Sequence, residues 1–216
     1  LWKMLTGVFA GAGADDMVGI FVANNDNPLN LGFWSTLVVV ATMLIVGKGV
    51  QAGIERSVSW MMPGMVVMLA ILIGYGVFSG GFGEAWRFLF SFNAGSLSSE
   101  GMLAALGHAF FTLSLASGAI LTYGSYLPAR ASIARTTLTV AVADTLVALM
   151  AGLAIFPIIF ANGMSPGEGP GLIFMSLPLA FQAMPLGTLF GILFFVMLSM
   201  AALTSSISMV EATVSW

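Results

Sequence analysis

Three groups of polar residues sit inside otherwise apolar sequence, and they set what chemistry this chain can do. The first is the run TLSLASG at 112–118, at the centre of residues 101–129, which contain no Asp, Glu, Lys or Arg. The second is Asp144, alone in an apolar stretch. The third is Thr204, Ser205, Ser206 and Ser208, four hydroxyls within five residues. Hydroxyl and carbonyl oxygens are hard ligands that suit a hard cation. An ionisable side chain inside a membrane helix costs about 2.5–3.5 kcal/mol on insertion scales, so Asp144 needs a cation, a proton or a hydrogen-bond donor as partner. Each group also has a plainer reading. Asp144 has the alternative reading of a protonated structural hydrogen-bonder. Hydroxyls in membrane helices commonly bond the i−4 carbonyl or a neighbouring helix. His108, one turn before Thr112 on the same face, is either a satisfied hydrogen-bonder or a proton relay paired with Asp144. Glu211 lies near the end of the last apolar segment, where water reaches it, and takes no role.

The flanks of the run at 112–118 look like a membrane helix, but its centre consists of weak helix formers. Gly118 permits a bend there. An apolar span interrupted at mid-depth is the mark of a discontinuous helix, whose freed N–H and C=O groups need partners. Irregular backbone at that depth is tolerated only inside protein or along a water-filled cavity. A half-helix N-terminus attracts a carboxylate, and unwound carbonyls coordinate cations, as in the broken helices of transporters. The break thus has the chemistry to bind an amino acid and Na⁺ together.

Composition bounds the rest. The 216 residues are 59% hydrophobic and 7% charged, against roughly 25% charged in soluble domains. The chain reads as an all-α integral membrane protein. Its aromatic residues do not alternate with polar ones, which argues against a β-barrel. Cysteine is absent, so disulfides and thiolate metal sites are excluded. No basic run suggests nucleic acid as a partner. The expected partners are the bilayer, Na⁺ and a small-molecule substrate; oligomeric state is not readable. The chain begins at Leu1 and ends at Trp216 inside an apolar helical pattern. It reads as an internal fragment of a longer protein, with half of any site expected elsewhere.

A spanning helix needs about 20 mostly apolar residues. Residues 1–12 read as the tail of one helix, and 13–30 as a polar loop with an Asn-Pro turn signal. Span A covers about 31–50, span B 57–78, the broken span C 101–127, span D 136–160 and span E 186–216. Residues 84–90 suggest a short interfacial helix. Residues 172–184, short and carrying Pro178, read as a re-entrant or lid segment. Lys48, Arg56, Arg130 and Arg135 fall in the A–B and C–D turns. The positive-inside rule puts those turns, 48–56 and 128–135, in the cytoplasm of a multi-pass cell-membrane protein. Asp15, Asp16, Asp26, Glu84, Glu100 and Glu168 fall in the opposite loops.

These residues resemble a known family. The stretch 110–126 (FFTLSLASGAILTYGSY) is similar to the sixth transmembrane helix of the neurotransmitter:sodium symporters, in their bacterial amino-acid branch. The stretch 201–208 (AALTSSIS) is similar to their eighth, and 48–56 with Met62-Pro63 to the turn between the fourth and fifth. The resemblance implies part of a LeuT-type inverted-repeat fold. Spans A to E would be helices four to eight, residues 1–12 the end of helix three, and 172–184 the extracellular lid. It implies no enzyme but a sodium-coupled symporter of an amino acid or related small amine or carboxylate, working by alternating access.

The resemblance also implies roles. Thr112 and Asp144 would ligate a first sodium that also touches the substrate carboxylate. The Ala201 carbonyl, Thr204 and Ser205 would ligate a second, both sites being completed by a helix one that these residues do not include. Phe111 would gate the substrate; Thr112, Ser114, Ser117, Ser205 and Met209 would line its pocket. Gly53 and Pro63 match a spacing tied to inward opening. Asp144 stands where Asn is usual, Ser117 where a bulky apolar residue is usual, His108 where Gln is usual, and Ala148 where some members have Glu. These departures put a chloride site in doubt and allow proton coupling through His108 and Asp144. Two other readings compete. One is a non-transporting scaffold or sensor on the same fold. The other is an intramembrane serine hydrolase using Ser117 and His108, which needs the break to close about 13 Å of helical rise.

Overall fold

The computed structural model describes residues 1–216 except Ala10, Asn93, Ala94, Ser96, Ala116, Glu168 and Trp216, and the side chain of Ala14. Glu168, assigned to an acidic loop by its sequence, lies outside the described residues. Among the described residues the regular structure is helical, with no strand. The elements are α1 (Trp2–Leu5), α2 (Ala14–Asn25), α3 (Pro28–Val46), a π-helical turn (Val50–Glu55), α4 (Arg56–Phe78), α5 (Phe82–Phe90), α6 (Ser99–Thr112), α7 (Ala119–Ser125), α8 (Ile133–Ala161), α9 (Gly169–Gly171), a second π-helical turn (Leu172–Ser176), α10 (Leu177–Gln182) and α11 (Gly187–Val214). Among the described residues, four helical segments are long and apolar enough to cross a membrane: Pro28–Val46, Val50–Phe78, Ile133–Ala161 and Gly187–Val214. Helices α6 and α7, separated by residues 113–118, are not among these four.

One element and several boundaries differ from the sequence expectation. Residues 13–30 are not a loop, for Ala14–Asn25 is helical. Asp15 and Asp16 lie in its first turn, where negative charge is favoured, and Asp16 Oδ2 accepts from the Gly13 N–H at 2.9 Å. Acidic residues that resemble loop composition thus hold a helix start. The third helix begins at Pro28, not Leu31, because Asn27 Oδ1 caps it through the Asn30 N–H at 3.0 Å and proline occupies the first turn. It stops at Val46, and left-handed Gly49 (φ 81°) leads into the π-helical turn.

Two packed regions hold the helices. One gathers Leu69 and Leu72 of α4, Ile158 and Ile159 of α8, Leu177 and Phe181 of α10, and Phe194 and Phe195 of α11. The α4–α8 contact is close because Gly76 lies against Leu153 and Pro157. Small residues serve this purpose in membranes, where no hydrophobic force separates helix from lipid. Residues 172–182 pack against this region. Tyr75 holds the exit of this segment by donating to the Pro185 carbonyl at 2.9 Å while stacking on Phe190 with centroids 3.8 Å apart. The other region, Val46, Ile54 and Ile207, lies at the opposite end. There a Cβ on Gly53 would overlap the Ile45 carbonyl, so glycine lets the π-helical turn sit on the end of α3.

Candidate functional site

The break has the geometry its composition suggested. Helix α6 ends at Thr112, and α7 restarts at Ala119 behind Gly118, whose φ of 76° is left-handed. Ser114 is also left-handed at 52°, a conformation that non-glycine residues rarely hold without support. Local bonds take up part of the freed backbone. Ser117 Oγ donates to the Ser114 carbonyl at 3.0 Å, and the Leu115 N–H donates to the Phe110 carbonyl at 3.1 Å.

One cavity of about 1170 Å³ runs along this break. Its walls include Phe111, Thr112, Ser114 and Ser117 from the break, Asp144 from α8, and Thr204, Ser205 and Met209 from α11. Three segments far apart in sequence thus bring eight of the expected site residues to one surface. Small-molecule pockets span about 300–1,000 Å³, so these walls form one side of a site without enclosing it. Asp144 is half-buried and makes no hydrogen bond or ion pair among the described residues. Thr204 Oγ1 donates to the Ala201 carbonyl at 2.8 Å. That places Ala201 beside the wall, although it does not line the cavity. The set of hydroxyl, carbonyl and carboxylate oxygens has the hardness a sodium ion needs.

Two residues stand apart from the surroundings expected of them. His108 is exposed, does not line the cavity, and has no hydrogen bond or ion pair to Asp144 among the described residues. Only the last turn of α6 reaches the cavity, and His108 stands one turn back. It is equally unavailable to Ser117, so the hydrolase arrangement is absent among the described residues. Glu211 is not open to water: it is 5% exposed, and Tyr126 Oη donates to its Oε1. Sequence reasoning assigned no role to Gln51 and Glu55 of the π-helical turn or to Tyr123 and Tyr126 at α7, all on the cavity wall beside Ser208 of the hydroxyl cluster. The tyrosines are three residues apart, as are Ser208 and Glu211. Matching one-turn spacing on two helices was the available signal.

The chain is similar to known transporters over nearly its whole length. The family model described as "Sodium:neurotransmitter symporter family" matches residues 26–216. A Bacillus subtilis (strain 168) protein described as the uncharacterized sodium-dependent transporter YhdH is 39% identical over 99% of this chain and 47% of its own length. An uncharacterized sodium-dependent transporter of Haemophilus influenzae is 34% identical over 88% of this chain and 42% of its own. Among solved structures, MhsT in complex with L-phenylalanine matches with a TM-score of 0.83 and 42% identity, over 98% of this chain and 48% of MhsT. The chain spans about half the length of these relatives. With the broken helix, the cavity and these matches in agreement, this multi-pass membrane chain belongs to the sodium:neurotransmitter symporter family, whose members are transporters and not enzymes.

Proposed function

We propose that the full-length protein is a secondary active transporter that couples Na⁺ entry to uptake of an amino acid by alternating access. The observation that carries this reading is the meeting of Thr112, Asp144, Thr204 and Ser205 on the wall of one cavity beside a broken helix. In this reading Thr112 and Asp144 hold one sodium next to the substrate carboxylate. The Ala201 carbonyl with the Thr204 and Ser205 hydroxyls holds a second. The Asp144 carboxylate offsets cation charge that other family members balance differently, so chloride is not required. Phe111, Ser114, Ser117, Ser205 and Met209 contact the substrate, and the small Ser117 leaves room for a large side chain. The half of the protein outside these residues completes both cation sites and closes the pocket. The turns at 48–56 and 128–135 face the cytoplasm.

L-Phenylalanine is the first substrate to try, because MhsT is described in complex with it. The test is uptake by full-length protein in proteoliposomes with an inward Na⁺ gradient, against the same vesicles in choline. The remaining amino acids follow as competitors. Saturable, Na⁺-dependent uptake that Asp144→Ala abolishes supports the reading. Intact Na⁺-dependent uptake in Asp144→Ala would sink the assigned mechanism, and absence of any substrate or Na⁺ binding favours a scaffold.

A further inference from the structure

Helix α5 divides its nine residues among three faces. Ala85 and Leu89, one turn apart, make the packed face. Ala85 is fully buried, and Leu89 lies over Gly152 of α8, where a Cβ would come within 3.0 Å of Leu89 Cδ2. The second face is aromatic. Phe82, Trp86 and Phe90 fall at i, i+4 and i+8 on one stripe, and their rings line up along it with centroids 6.1 and 4.4 Å apart. Trp86 is 50% exposed and Phe90 42%. The third face carries Glu84 and Arg87, both exposed.

Each face suits a different neighbour. Helices that pack together in a membrane approach through small residues, and Gly81, Ala85 and Gly152 serve that purpose on the α8 side. A row of Trp and Phe with a charged strip beside it suits the membrane–water interface, where aromatic rings sit at headgroup level and charges stay in water. Depth agrees with chemistry. Helix α8 has 29 residues, about 43 Å of helix against about 30 Å of hydrocarbon, so its last turn stands among the headgroups. Ser79, just past the end of α4, donates from Oγ to the Pro157 carbonyl at 3.2 Å. From there the chain turns back along α8. Gly81 lies against Pro157 and Ala161, while Leu89 lies over Gly152. Helix α5 therefore lies beside the final turns of a membrane-length helix, at the border of the bilayer, and not beyond it.

We propose that the Phe82–Trp86–Phe90 stripe is a lipid-contact surface seated at the headgroup–acyl boundary, with Glu84 and Arg87 on its water side. This role is separate from substrate and cation binding.

The test is tryptophan fluorescence of full-length protein in phosphatidylcholine vesicles, with the Trp86 component taken as wild type minus Trp86→Phe. Bromine near the headgroup end of the acyl chains should remove most of that component, and bromine near the chain ends should remove less, as for a ring at headgroup level. Aqueous iodide should remove little. Phe90→Trp in the Trp86→Phe protein puts an indole back on the stripe, and quenching by lipid bromine should return. Glu84→Trp in the same background should respond to iodide instead. A Trp86 component that neither brominated lipid touches is covered by protein, either a second copy or the rest of this chain, and overturns the proposal. Stronger quenching by iodide than by lipid bromine, or by deep bromine than by shallow, overturns it as well.

Discussion

Asp144→Asn separates what a residue contributes to folding from what it contributes to binding. Asp144 is half-buried on the cavity wall of α8, with no hydrogen bond or ion pair among the described residues. For the fold alone it is a cost, since a carboxylate near the middle of a membrane helix is disfavoured by about 2.5–3.5 kcal/mol. For a bound cation it is the countercharge that α8 brings to this wall. Two unit charges about 4 Å apart attract by about 4 kcal/mol at an effective dielectric constant near 20. Asparagine keeps an oxygen for the ion and loses the charge, so we expect roughly half of that, about 2 kcal/mol, to disappear. At 1.4 kcal/mol per tenfold, the Na⁺ concentration for half-maximal response rises roughly thirtyfold. The two effects have opposite signs. Without Na⁺ the variant should melt at or above the wild-type temperature, and in the NaCl titration it should need far more salt. A midpoint within about twofold of wild type, or Na⁺-free stability that falls together with Na⁺ affinity, refutes the assignment.

Other expectations follow from particular contacts. Gly53→Ala places a Cβ on the Ile45 carbonyl and should lower stability by about 1–3 kcal/mol as overpacking does. Gly74→Ala meets nothing within 4 Å, and its melting temperature should hold or rise slightly, since alanine is the better helix former by up to about 1 kcal/mol. Equal melting temperatures for the two would show that Gly53 is not needed for the close approach. Tyr75→Phe keeps the stack on Phe190 but removes the bond to the Pro185 carbonyl. Hydrogen exchange in residues 172–182 should speed up by the equivalent of about 0.5–1.5 kcal/mol, and unchanged protection would count against the clamp. Replacing chloride by gluconate should leave Na⁺-dependent uptake by the full-length protein unaltered, and a strong loss would mean that Asp144 does not supply the balancing charge.

The broken helix is legible in sequence because its signal is local: a cluster of hydroxyls with a glycine, inside a charge-free span, is ill suited to face lipid as a continuous helix. Asp144 and the Thr204–Ser205 pair are legible for the same reason, as polar atoms at depth. Helix α2 is not, because Asp and Asn favour both loops and helix starts, and only the bond from the Gly13 N–H to Asp16 separates the two. Asn27-Pro28 is ambiguous in the same way, since a turn dipeptide and a capped helix start look alike in sequence. His108 shares a helix face with Thr112 by spacing, but the cavity meets only the terminal turn of α6, which periodicity cannot show. The contacts of Tyr123 and Tyr126 with Ser208 and Glu211 join residues 85 apart. Aromatic residues near a helix end read as bilayer-interface anchors until a partner helix is placed beside them.

The proposed transport rests on sodium binding by the hydroxyl turn of α11. Equilibrium binding of radioactive ²²Na⁺ to purified full-length protein is the decisive measurement, because it needs no knowledge of the substrate. Binding should be saturable in wild type and lost or greatly weakened when Thr204→Val and Ser205→Ala remove both hydroxyls, with cooperative melting retained. Undiminished saturable ²²Na⁺ binding in that double variant would mean that the ion is held elsewhere.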